Sequence, residues 1–75
     1  MNKARKHDIE VSRNNLRVVK DNITTIRKDE LGDFVDLSCT MQSYATRLKS
    51  ERAISSLTDV IAYINKSIDK LDNIP

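Results

Sequence analysis

Between Ile54 and Leu71 the large apolar residues fall at Ile54, Leu57, Ile61, Ile64, Ile68 and Leu71, alternating steps of three and four. That heptad spacing puts all six on one stripe of an α-helix. A strand would alternate with period two, which Val60-Ile61-Ala62-Tyr63-Ile64 does not do. Ser55, Thr58, Asp59, Asn65, Lys66 and Asp69 occupy the opposite face, so the helix is amphipathic and not membrane-spanning. Lys66 and Lys70 sit in its last turns, where cations oppose the negative end of the helix dipole. Whatever else the chain does, it must bury this seam.

The rest of the chain repeats the pattern. Ile9, Leu16, Val19, Ile23 and Ile26 keep the same spacing, with Ser12 in the one polar slot, and Asp8 is a reasonable cap or first-turn acid. Val11 and Val18 form a second, minor stripe off that seam. Residues Met1–Lys6 show no pattern, and 1–7 and 73–75 are expected to fray. Phe34, Leu37, Met41, Tyr44 and Leu48 make a third heptad run, broadened by Val35 and Ala45, which predicts a helix over roughly Phe34–Lys49.

Gly32 is the only glycine and Pro75 the only proline, which argues against a fold of strands and turns. The best candidate turn is Lys28–Asp33, with Gly32 just past a helix end and Asp33 capping the next helix. The alternative keeps Gly32 inside a longer helix at a cost of about 1 kcal/mol relative to Ala. From Leu48 to Ile54 the spacing is six, so the register slips. Either the chain turns near Ser50, which can act as an N-cap, or the helix runs through. The expected fold is therefore all-α, one domain over 1–75, an antiparallel hairpin with coiled-coil-like packing. Its second helix is long, from Asp33 to Leu71, and a three-helix bundle is the alternative.

A chain of 75 residues with three aromatics, Phe34, Tyr44 and Tyr63, has a thin aliphatic core. Its margin is about 3–5 kcal/mol, and a second chain would help. Catalysis finds no foothold, with no Ser-His-carboxylate set, no Cys-His pair and no phosphate loop, so an enzyme is not expected. Cys39, the only cysteine, is read as a small buried or half-buried residue, and His7, the only histidine, as a solvated one. Asp29, Glu30, Asp33 and Asp36 lack the spacing of a calcium loop and suit a helix N-terminus instead. No cofactor or metal is expected. No apolar run reaches the length of a signal-peptide core or a membrane span, so a cytoplasmic location is expected.

The charge is lopsided. Residues 1–28 hold eight Lys or Arg against three acids, although the whole chain carries only +2. Lys3, Arg5, Lys6, Arg13, Arg17, Lys20, Arg27 and Lys28 are spread around the first helix without interleaved aromatics, a solvated face more than a nucleic-acid surface.

The stretch Tyr44–Ile64, YATRLKSERAISSLTDVIAYI, resembles the second helix of the small co-chaperones of the type III secretion needle subunit. In that family a Tyr is followed nine and ten residues on by Ala and an aliphatic residue, and sixteen and seventeen on by two aliphatics. Here those positions hold Ala53, Ile54, Val60 and Ile61. The resemblance covers about a quarter of the chain. It implies a bacterial cytosolic protein that pairs with a larger helical-repeat chaperone to keep a polymerising subunit monomeric.

The residues alone lead to a broader expectation. Ala53, Val60 and Tyr63 flank the C-terminal seam. With Tyr44 and the Val11–Val18 stripe they are the candidate partner-binding residues, because apolar surface left over from a thin core is buried on a partner. The favoured function is a helical adaptor or chaperone for another helical protein. The alternative is a homodimeric regulator that touches nucleic acid through its basic first helix. A structural coiled-coil component is a third reading.

Overall fold

The computed structural model describes residues 1–38 and 44–75, with side chains at 1–35 and 44–75. Two helices make up the fold, α1 over Lys3–Ser38 and α2 over Tyr44–Asp72, packed antiparallel along their lengths. The all-α hairpin is as expected, but its proportions are reversed: α1 has 36 residues and α2 has 29.

α1 begins at Lys3, five residues ahead of the Asp8 start. Asn2 is the reason, since its Oδ1 accepts a hydrogen bond from the Arg5 N–H at 2.8 Å and occupies one of the unpaired donors of the first turn. Polar residues inside the helix are tied back to it. Thr24 Oγ1 donates to the Lys20 carbonyl at 2.8 Å and Thr25 Oγ1 to the Asp21 carbonyl at 3.1 Å.

The turn expected at Lys28–Asp33 does not form. α1 runs straight through it, no glycine has positive φ, and a Cβ placed on Gly32 would meet nothing within 4 Å. The helical penalty of Gly32 is outweighed by its neighbours in the chain, because Glu30 and Phe34 both pack on α2. Phe34 therefore belongs to the first helix and Tyr44 to the second, and the run read as one helix over Phe34–Lys49 is divided between them. The Leu37 side chain, Cys39 and Met41 lie outside the described residues.

α2 is continuous through 46–54, which excludes the break at Ser50 and with it the three-helix bundle. Ser50 is no cap. It is 7% exposed and sits on the seam, donating from Oγ to Glu30 Oε1 at 2.8 Å. Counting back from Leu71 and Ile64 through Leu57, the next seam position is residue 50, so the apparent slip at Leu48 is one heptad place held by a polar residue. The six apolar residues expected on this seam are all there: Ile68 is buried, and Ile54, Leu57, Ile61, Ile64 and Leu71 are half-buried. Beyond Leu71, Asn73 closes the helix, with its backbone N–H and Nδ2 both bonded to the Asp69 carbonyl.

α1 meets this seam with a face rotated from the expected one. Ile9, Leu16 and Ile23 point at α2, but Val19 and Ile26 are 44% and 54% exposed. Arg13, Lys20 and Arg27 are half-buried in their place. Their aliphatic stems lie along the seam while their heads reach its edge. Two of the heads are held there, Arg13 by Asp72 and Arg27 by Thr58.

The product is a rod of 59 × 14 × 12 Å. Ile68, 6% exposed, is the one buried apolar side chain among the described residues. The chain exposes 5856 Å². A compact monomer of its 8.6 kDa would expose about 4,700 Å².

Candidate docking face

The seam divides the surface of the hairpin into two unlike sides. On one, Arg13 Nη1 donates to Asp72 Oδ1 at 2.9 Å, and Arg17 Nη2 lies 4.0 Å from Asp72 Oδ2. Further along, Arg27 Nε donates to Thr58 Oγ1 at 2.7 Å, and Thr58 Oγ1 in turn donates to the Ile54 carbonyl at 2.8 Å. At the far end the Arg47 guanidinium stands 6.0 Å from the centre of the Phe34 ring, at the outer limit of a cation–π contact. This side is polar from the Arg13–Asp72 pair to the Arg27–Thr58 pair, and beyond them it carries the exposed Leu31 and Tyr44.

The other side carries an apolar patch at mid-length, between Ser12 and Asp33 on α1 and between Thr46 and Ser67 on α2. Turning on α1 from Leu16 and Ile23 away from the arginines leads to Val19 and Ile26; turning on α2 from Leu57 and Ile64 away from Thr58 leads to Ala53 and Val60. The Arg–Asp and Arg–Thr bonds fix which side is which, so these four residues share one face. Ala53 is half-buried and the other three are exposed. Tyr63 lies one stripe further out on α2, 68% exposed.

The residues singled out from the sequence do not all meet here. Ala53, Val60 and Tyr63 do. Tyr44 is exposed at the first residue of α2, about 24 Å along the helix from Val60. Val11 and Val18 are exposed on the back of α1, away from both the seam and the apolar face. The residues missed were Val19 and Ile26, which the heptad spacing placed in the core. The signal that could have found them is the parallel stripe Arg13, Lys20 and Arg27: both stripes border Ile9, Leu16 and Ile23, and one neighbouring helix can cover only one of them.

At the open end of the rod a shallow depression of about 260 Å³ lies between Ile9, Arg13, Leu71 and Pro75. Arg13 Nε is turned inward there without a hydrogen-bond partner in the described residues. No group of three or more His, Cys, Asp or Glu gathers to hold a metal among the described residues. His7 is exposed on α1. No helix in the described residues is long and apolar enough to cross a membrane. What the arrangement offers among the described residues is a surface. Comparison of the chain with protein-family models, curated proteins and solved structures finds no match to any of them.

Proposed function

We propose that this protein is a small helical docking module, an adaptor or chaperone that acts in the cytoplasm by laying the Val19–Ile26–Ala53–Val60 face against helices of another chain. One observation carries the reading: a hairpin with a single buried apolar side chain among the described residues leaves an apolar patch uncovered beside its seam. Exposed apolar surface of this kind is stabilised by burial on a partner, and helix-on-groove packing needs anchors at the three–four spacing that Val60 and Tyr63 supply.

The narrower form, a co-chaperone of a type III secretion needle subunit, is supported by the resemblance of Tyr44–Ile64. Ala53 and Val60, two of the residues that carry it, lie on the apolar face. The nucleic-acid reading has less support, because Arg13 and Arg17 are directed to Asp72 and Arg27 to Thr58.

The test is the double substitution Val60→Ser with Tyr63→Ser in a tagged chain recovered from its native cells. Helical circular dichroism should be nearly unchanged, since both side chains are exposed. Retention of its helical partner, whether an untagged copy or another protein, should fall at least about tenfold, the effect of losing two interface anchors. Unchanged retention would refute the face.

A further inference from the structure

We infer that the occupant of the apolar face is a second copy of this chain, joined with both connecting ends at the same end of a four-helix bundle. The inference rests on the docking reading above and names its partner.

The first support is area. The hairpin exposes about 1,150 Å² more than a compact chain of its mass. A stable dimer of ordinary size removes about 800 Å² from each partner, which is less than this excess.

The second support is charge, and it also selects the arrangement. Glu30 opposite Ser50 sets which residues lie level on the two helices, and each heptad step keeps the pairing: Ile23 with Leu57, Leu16 with Ile64, Ile9 with Leu71. By the same steps Val19 is level with Val60 and Ile26 with Ala53, a large side chain beside a small one. Just outside the apolar face, the rim of α1 is Asp8, Asn15, Asn22 and Asp29, all exposed. The rim of α2 is Lys49, Ser56, Tyr63 and Lys70, also exposed. Asp29 is level with Lys49, and Asp8 with Lys70.

Within one hairpin these rims lie on opposite outer edges and do not meet. A two-fold axis along the rod brings α1 of one copy against α2 of the other at the same height. Asp8 and Asp29 then face the second copy's lysines, two neutral polar levels lie between them, and adjacent helices all run antiparallel. A two-fold axis across the rod sets α1 against α1 instead, so the rim with the aspartates meets only its own kind, as does the rim with the lysines, and no aspartate meets a lysine. Like charges at a rim are the standard means of rejecting a wrong pairing. The chain thus carries both halves of its own complementary edge, and only one arrangement uses them.

The full chain, studied by sedimentation equilibrium, should have twice its 8.6 kDa mass. Asp8→Lys with Asp29→Lys should raise the dissociation constant at least about tenfold at low salt, as should Lys49→Asp with Lys70→Asp. All four changes together should restore it to within about threefold of the parent, because the edges are complementary again. Spin labels on Arg5→Cys, in a Cys39→Ser background, read the orientation without touching the rims. They should lie within about 25 Å across the aligned bundle, against about 45 Å for opposed rods. A monomer, reversals without effect, or the long label distance would each overturn the inference. A monomer whose retention of a different helical protein still depends on Val60 and Tyr63 would leave the docking reading standing.

Discussion

Replacing the one polar layer of the seam reports directly on how the two helices are matched. Ser50 is buried and its hydroxyl donates to the half-buried Glu30 carboxylate at 2.8 Å. A hydrogen bond to a charged group contributes about 1.5–3 kcal/mol, and partial solvent access to Glu30 moves Ser50→Ala below that range, to about 1 kcal/mol. That is a large share of a margin of about 3–5 kcal/mol for a chain of this length. Glu30→Leu with Ser50→Leu should have the opposite sign. It removes the desolvation of a carboxylate and fills two heptad places with apolar side chains, for a gain of about 1–3 kcal/mol. Urea unfolding followed by helical circular dichroism, at one fixed chain concentration, measures both changes. A double-mutant cycle between Ser50→Ala and Glu30→Ala isolates the pair. A coupling below about 0.3 kcal/mol, or a leucine pair less stable than the parent, would refute the matching of residue 30 with residue 50 and the register built on it.

Gly32→Ala should stabilise the chain by about 0.5–1 kcal/mol, since the position is helical and a Cβ meets nothing; a loss on urea melting would instead restore the turn there. Ile68→Ala should lose about 2–4 kcal/mol in the same assay, the usual cost of truncating a buried isoleucine, and a change under 1 kcal/mol would mean Ile68 is not central to the seam. Asp72→Asn should lose no more than about 1 kcal/mol, because both partners are about a third exposed, and 1 M salt should erase most of the difference from the parent.

How much of this was legible in the sequence differs between the helices. On α2 the inward stripes, Ile54–Ile61–Ile68 and Leu57–Ile64–Leu71, are apolar at every step, so periodicity alone identifies the face. Where a stripe is broken by a polar residue, as at Ser50, the same reasoning reports a slip, because nothing local shows a carboxylate waiting twenty residues upstream. On α1 the central stripe Ile9–Leu16–Ile23 is legible, but its two neighbours compete. Hydrophobicity favours Ser12–Val19–Ile26, whereas the structure seats Arg13–Lys20–Arg27, whose heads find Asp72 and Thr58. That choice is tertiary, made by residues on the other helix. Gly32 misled for a different reason: a glycine fits a helix end and tolerates a helix interior, and α1 continues past it to Ser38. The docking face was half legible, through Ala53, Val60 and Tyr63. Its other half, Val19 and Ile26, reads as core because both residues keep the heptad spacing of Ile9, Leu16 and Ile23.

The rod shape has a hydrodynamic consequence. A radius of gyration of 17.3 Å is that of a compact chain of roughly 230 residues, about three times the length of this one. Drag on a body several times longer than it is wide exceeds that on a sphere of equal volume. A lone hairpin therefore elutes ahead of globular standards of its own mass. Two hairpins laid side by side with their ends aligned gain girth and hardly any length. Doubling the mass in this way lowers the axial ratio, so the friction per unit mass falls as the particle grows. Elution volume and mass then part company, and the sedimentation coefficient should rise more steeply than a mere stacking of rods end to end would allow.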